Sequence, residues 1–307
     1  MYHFTKDIQD MLSPTYKGML KILNRYVQIN SGVLVNIIPE ISFYLSAAKV
    51  FHSINDAGMY ITKPEISQKN DRNIELNEFY NFKFAMHLLD KGESNISEKI
   101  IDNSVNINND GRIIILTGAN RGGKTTYTQA IGIAQVLFQT GLFVPAKSAK
   151  ISMSDNIFTH FPADENKTVE LGRLGEESKR LNQIFDEATK YSLILLNESL
   201  ATTNHSEALY IATDVVKGFR LLGCRVVFNT HMHELGKLSD DINNEIEGDS
   251  AVVSYITTIV DGERKYKIIK GRSEGNSYAN DIAKKHGISF EQLKERISMK
   301  KDMIGAN

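Results

Sequence analysis

The sequence predicts an α/β domain around a largely parallel central sheet, preceded by a small helical region. Two observations carry this. From Arg112 onward, short apolar runs alternate with stretches of helical periodicity, the pattern of strands laid side by side with helices as crossovers. Between the first such strand and the first such helix stands Gly118-Ala119-Asn120-Arg121-Gly122-Gly123-Lys124-Thr125, a complete G-x-x-x-x-G-K-[ST] phosphate-binding loop.

Taken in order, residues 1–60 read as two helices. Met11, Leu12, Met19, Leu20, Leu23 and Val27 recur at near-helical spacing, with Ser13-Pro14 as a break or a helix start. A second run from Leu34 to Ile54 repeats the pattern through Ile37, Ile41, Tyr44, Leu45, Ala48 and Phe51. Both are expected to bury these stripes. Residues 62–110 read as polar and irregular, with turn signals at 91–95 and 108–111. A strand at 112–117 and a helix at 124–140, closed by Gly141, flank the glycine loop. There follow a strand near 149–153, a helix at 175–190, a strand at 191–197, a helix at 205–222 and a strand at 224–229. Ala251–Val260 and Lys265–Lys270 flank Asp261-Gly262 as a hairpin. Two short helices, near 276–286 and 289–300, end the chain.

Composition bounds the function. Of 307 residues, 41% are apolar, enough for one large or two modest domains with a real core. The uninterrupted apolar runs fall far short of a membrane helix, and the N-terminal residues have no signal-peptide shape, so no membrane partner is expected. The single cysteine, Cys224, excludes an internal disulfide framework and fits a reducing cytoplasm; its flanks make it a buried structural thiol. Net charge is −1, and residues 1–95 carry ten Lys/Arg against ten Asp/Glu. No basic face stands out, so if the chain acts on DNA, most of the grip lies elsewhere.

Around the loop a chemical constellation can be read. Backbone N–H groups at a helix N-terminus suit a phosphate. Lys124 is expected to reach the β- and γ-phosphates and the Thr125 hydroxyl to hold Mg²⁺. The strand 191–197 ends in Asn197-Glu198, where such proteins place an Asp-Glu pair. Glu198 would orient or deprotonate the attacking water. Asn197 keeps an amide oxygen for metal-bound water but removes a negative charge, so Mg²⁺ affinity and hydrolysis should fall. His231, in Phe228-Asn229-Thr230-His231-Met232-His233-Glu234, stands where a switch histidine approaches the γ-phosphate; as zinc ligands, His231, His233 and Glu234 lack a convincing further partner. Gly172-Arg173-Leu174-Gly175 opens a helix. It reads either as an ordinary helix N-terminus with acidic first-turn residues or as a loop reaching a neighbouring subunit's γ-phosphate.

These segments resemble the ATPase domain of the MutS DNA mismatch repair family. The stretch 116–127 resembles its T-G-P-N-M-G-G-K-S-T-Y loop. Residues 141–146 resemble G-x-F-V-P-A, 155–159 D-x-I-F-T-R, 188–193 A-T-x-x-S-L, 230–235 T-H-Y-H-E-L, and 271–285 the closing G…S-Y-G-I-x-V-A helix. The likeness runs from about residue 100 to 295, and residues 34–66 more weakly resemble the ends of the lever helices and the strand before that domain. Several positions depart from the family. Its Walker B Asp is Asn197; its trans-acting S-T-F-M falls at 172–175, with Arg173 as the available substitute; its D-E-I-G-R-G-T-S-T run is 197–205 without the glycines and arginine. The aromatic residue expected against adenine falls near Ile100. Nothing resembles a mismatch-reading domain.

The resemblance implies a P-loop NTPase of ABC/MutS type: residues 1–95 as a lever-like helical segment, and 96–307 as the ATPase domain with a C-terminal helical dimerisation element. It implies ATP and Mg²⁺ as ligands and ADP as product, a homodimer with composite sites, and DNA reached through a full-length protein. Glu198, His231 and Lys124 would be catalytic. Gly118, Ala119, Asn120, Arg121, Gly122, Gly123, Lys124, Thr125, Thr126 and Arg173 would bind nucleotide, and Thr125 and Asn197 the metal. Two other readings stay open: an ATP-gated dimerisation switch with little turnover, and another ABC-type ATPase, although a Leu-Ser-Gly-Gly signature is absent.

Overall fold

A computed structural model describes residues 2–161, 172–200, 204–260, 263–272 and 286–304, which form a mixed α/β protein. Contacts divide the chain into two compact units, Met1–Ser53 and Ile54–Asn307.

The first unit lies within one helix, α1 (Tyr2–Asp56), which runs without interruption through Pro14 and Pro39. The sequence led us to expect two helices with a break at Ser13-Pro14. Each proline removes one N–H donor, whereas helix growth on both sides is cooperative, so two missing bonds in 55 residues do not stop it. The apolar stripes expected to be buried are exposed at Leu12, Met19, Leu23, Leu34, Ile41 and Leu45. Among the described residues, the 23-residue stretch Leu34–Asp56 is the one long and apolar enough to cross a membrane by length and composition, with a mean hydropathy of 1.3 over its most apolar 18 residues. Glu40 and Lys49 interrupt it.

In the second unit a six-stranded sheet has the order β10-β9-β4-β8-β7-β6. Its members are β4 (Ile113–Thr117), β6 (Ile157–His160), β7 (Leu193–Asn197), β8 (Arg225–Asn229), β9 (Val252–Val260) and β10 (Glu263–Lys270). All neighbours are parallel except β9 and β10, which form the expected antiparallel hairpin; its turn, 261–262, lies outside the described residues. Strand β6 escaped the sequence reading.

Residues 62–110, expected to be irregular, instead build most of a second, four-stranded sheet of order β1-β5-β2-β3. It contains β1 (Glu65–Ser67), β2 (Ile74–Phe79), β3 (Asn103–Ile107) and β5 (Ser148–Ser152), with a helix α2 (Phe82–Asp90) between β2 and β3. Ile74 and Leu76 are buried on one face of β2, as are Val105 and Ile107 on β3, a period of two diluted by polar residues in short strands. The strand expected near 149–153 is β5, and it pairs with β1 and β2 rather than joining the parallel sheet.

Strand β4 is the buried centre of the parallel sheet, between β9 and β8. Every residue of it is buried, with Ile114 and Leu116 in one apolar cluster and Ile113 and Ile115 in the other. Helix α3 (Lys124–Gln139) covers the first side through Ala130, Ile131 and Ala134. Helix α5 (His205–Leu222) covers the second through Ala212, Val216 and Phe219. Burying each such Ile, Leu or Val contributes about 1.5–3 kcal/mol. Helix α5 starts at Asn204, whose side chain accepts from Ser206 N, and stops at Gly223 in the left-handed region. Helix α4 spans Gly172–Glu187, α6 His233–Lys237, α7 Ser239–Glu245 and α8 Phe290–Ile304. The helix expected at 276–286 lies outside the described residues. Cys224 is buried and free, as its flanks implied, and burial pushes its thiol up to about 12.

Candidate functional site

The site is assembled at the C-terminal ends of β4, β7 and β8, where an open parallel sheet leaves its crevice. Thr117 is the last residue of β4, and the glycine loop leaves it at Gly118, with φ +131°. A Cβ there would collide with Thr257 Oγ1 on β9, so backbone conformation and space both require glycine. At Gly122 a Cβ would sit 2.8 Å from Ala119 O. The loop thus folds on itself and against β9, and Gly123 hands the chain to α3.

Lys124 is buried, and its Nζ donates to Gly118 O at 2.9 Å and Ala119 O at 3.1 Å. Burial lowers its pKa, and the charge of Glu198 opposes that shift. The Thr125 hydroxyl donates to Asn197 Oδ1 at 2.9 Å, joining the first turn of α3 to the end of β7. Glu198 follows at φ 53°, a left-handed conformation that a non-glycine residue adopts at a cost of about 1–3 kcal/mol. Its N–H donates to Asn229 O at 2.8 Å, and its Oε1 lies 3.0 Å from His231 Nε2. Lys124, Thr125, Asn197, Glu198 and His231, picked out separately along the sequence, therefore meet at one place.

A cavity of about 520 Å³ opens beside them, within the usual range for small-molecule sites. Arg121, Gly122, Gly123, Thr126 and Glu198 line it, opposite Phe84, Ile100 and Tyr266. Gly118 and Ala119 enter the site through the carbonyls that hold Lys124, and Asn120 lies exposed at the loop tip. Arg173 falls in the first turn of α4, which starts at Gly172, three residues earlier than expected from the sequence; its side chain lies outside the described residues.

Other residues escaped the sequence reading. Tyr266 sits at φ 54° where the β9–β10 register shifts, with its ring against Gly123. Its signal was an aromatic residue between two lysines on a hairpin strand, which alone says nothing of a cavity. Asn81 caps α2 by accepting from Phe84 N at 3.0 Å and donates to Thr126 O at 2.9 Å, tying the small sheet's helix to α3. His160 Nδ1 lies 2.9 Å from Ser199 Oγ, and Glu177 of α4 accepts from Leu200 N at 2.6 Å, so the turn after Glu198 is held from two sides. Burial, then the charge of Arg180, lowers the His160 pKa. Burial also lowers that of His233, with Glu234 opposing.

As to a metal, the described residues contain no cluster of three or more His, Cys, Asp or Glu side chains. The oxygens of Thr125 and Asn197 are neutral and hard. They fit a cation brought in by phosphate and cannot form an all-protein cage.

Comparison with known proteins decides the family. The profile described as MutS domain V matches residues 114–303, more than half of the chain. The chain belongs to the MutS family. It is 34% identical over 211 residues to the DNA mismatch repair protein MutS of Clostridium botulinum (strain Hall), a match covering 66% of this chain and 22% of that protein. With the MutS of strain Okra it shares 33% over 229 residues, 74% of this chain and 23% of the relative. With that of Chlorobaculum parvum it shares 32% over 197 residues, 64% and 22%. The matched part thus spans about a fifth of the length of these MutS relatives.

Proposed function

We propose that this chain is the ATP-binding and ATP-hydrolysing part of a MutS-like DNA repair or recombination protein, a P-loop NTPase that works with Mg²⁺ as a homodimer. The observation that supports it best is the convergence of Lys124, Thr125, Asn197 and the Glu198–His231 pair on the end of the glycine loop. In this reading the phosphates lie along residues 118–126, and Lys124 leaves the carbonyls of Gly118 and Ala119 for phosphate oxygens. The base enters the cavity beside Ile100 and Tyr266. Thr125 and Asn197 would hold Mg²⁺, which supplies charge neutralisation at the phosphates when bound. Glu198 positions the attacking water, with His231 fixing the carboxylate. Arg173 would reach the partner subunit's nucleotide. The lever-like role falls to residues 1–95 and the ATPase role to 96–307, and DNA is engaged through a longer protein of the kind its relatives are.

One observation favours a second reading, a hydrolysis-poor, ATP-gated dimerisation switch: the carboxylate expected beside the metal is the neutral Asn197, already engaged by Thr125. Steady-state ATP hydrolysis with Mg²⁺ over a range of protein concentrations separates the two. Turnover lost in Lys124→Ala and Glu198→Gln, with a specific rate that rises with concentration, supports the composite-site ATPase. Negligible turnover in the unmutated chain that emerges in Asn197→Asp supports the switch.

A further inference from the structure

Asn197 does not stand alone at the end of β7. In paired register on β8 is Asn229, fully buried. Its Nδ2 donates to Asn197 Oδ1 in a short contact and lies 3.4 Å from the Thr125 hydroxyl. Asn197 Oδ1 therefore accepts twice, once from Thr125 and once from Asn229. The other end of Asn229, Oδ1, is buried without a hydrogen-bond partner among the described residues. An unpaired buried carbonyl is costly, so this asparagine is not there for stability alone.

The chemistry of a carboxamide gives it a task. The oxygen and nitrogen ends of Asn197 are nearly identical in shape and opposite in polarity. Turned one way, the side chain offers an acceptor to Thr125 and to a cation. Turned the other way, it offers two N–H hydrogens, which repel a cation. An aspartate at 197 would need no such control, because both its ends are oxygens. The donor Nδ2 of Asn229 faces Asn197, and of the two ends of that carboxamide only the oxygen can accept from it.

We propose that Asn229 is a positioning residue that locks the Asn197 carboxamide with its oxygen toward Thr125, which keeps a neutral site able to accept Mg²⁺; it rests on the ATP·Mg²⁺ reading above. Asn197 and Asn229 act as a pair, with Asn229 made necessary by the loss of the acid at 197. The lock matters only when a metal accompanies the nucleotide. A side chain that merely supported the fold would affect nucleotide binding with and without metal alike.

The test is binding of a fluorescent ATP analogue to the whole chain, at saturating Mg²⁺ and in excess chelator, for the unmutated protein, Asn229→Ala, Asn197→Asp and the double variant. Asn229→Ala should weaken the Mg²⁺ complex about fivefold, the worth of roughly one hydrogen bond, and leave the metal-free complex within about twofold. In the Asn197→Asp background the same alanine should change neither complex by more than about twofold, a coupling that a double-mutant cycle reads directly. Asn229→Leu, similar in size and without the donor, carries the same expectation should the alanine variant not fold. The proposal is overturned if loss of the donor leaves the Mg²⁺ complex unchanged, weakens both complexes equally, or still weakens it beside Asp at 197. Absence of any saturable signal in the unmutated chain would instead remove the nucleotide reading, and this proposal with it.

Discussion

Glu198 Oε1 lies 3.0 Å from His231 Nε2, and the backbone N–H of the same glutamate donates to Asn229 O, so β8 and the residues just after it hold both ends of this residue. Glu198 is held at φ 53°, and such outliers persist where the surroundings over-determine them. A carboxylate fixed in this way beside the glycine loop is suited to orient one water. On the proposed ATPase reading, Glu198→Gln should therefore lower ATP turnover at least about 100-fold while leaving nucleotide binding intact. His231→Ala, which frees the carboxylate without removing it, should cost about tenfold. Single-turnover hydrolysis alongside analogue binding checks both, and equal losses for the two variants would contradict the division of roles.

The glycine loop makes a prediction about stability rather than chemistry. Gly118→Ala places a methyl group against Thr257 Oγ1 and keeps a backbone at φ +131° that alanine resists. Overpacking and strain together should destabilise the protein by about 2–4 kcal/mol. Adding Thr257→Ala should recover only part of this, because Thr257 Cβ and N, each 3.1 Å from the new methyl, remain. Chemical denaturation of the single and double variants measures it.

Much of the site could be read in the sequence because its motifs are local. The loop 118–125 is one continuous pattern, and Asn197-Glu198 and His231 each follow a short apolar strand. Parallel pairing in register then brings the two strand ends together. What could not be read depends on contacts between distant segments. Asn229 lay inside a segment already singled out, yet its role comes from facing Asn197 across β7–β8. Tyr266 reaches the loop only because a register shift redirects it. Likewise, β5 has the strand pattern of a parallel-sheet member, but Ile151 pairs with Ile66 and Ile74 in the other sheet. Pro14 misled for the opposite reason: a local breaker was overruled by a long cooperative helix.

At the opposite end of the sheet, Arg72 and Arg112 are buried and share one carboxylate, Asp249. Arg72 also donates to Gly223 O at 2.6 Å, and Arg112 to Asp249 O at 2.7 Å. The hydrogen bond from Arg72 leads the causes that hold the Asp249 carboxyl below its ordinary value. Asp249 itself is 63% exposed, so the several kcal/mol expected for breaking a fully buried pair must be discounted for solvent screening. Asp249→Asn should cost about 1–2 kcal/mol at neutral pH. The difference from the unmutated protein should vanish in acid. A depressed carboxyl contributes stability above its unfolded pKa and loses it as pH falls through the folded one. Denaturation at neutral and strongly acidic pH tests both the size and the sign.

His160 gives a separate pH signature in a milder range. Its pKa is lowered by burial first and by Arg180 second, and Ser199 is its hydrogen-bond partner on the turn that follows Glu198. Below the ordinary histidine value of 6.5 the unfolded chain takes up a proton that the folded chain resists. The unfolded state then binds more protons, so stability rises with pH through this window and falls on acidification. His233, lowered in the same direction, adds to the effect. The depressed carboxyls Asp155, Glu234 and Asp249 begin from ordinary values of 3.8, 4.5 and 3.8, so their contributions are lost at lower pH than the histidine window. The melting temperature of the unmutated protein should therefore fall between pH 7 and pH 5.5, and His160→Gln should flatten that slope while lowering stability at pH 7. Because His160 steadies the turn beside Glu198, on the proposed ATPase reading the same variant should lower turnover at pH 7 more than it weakens nucleotide binding. A slope unchanged by His160→Gln would assign the acid sensitivity to His233, and His233→Gln would then have to remove it.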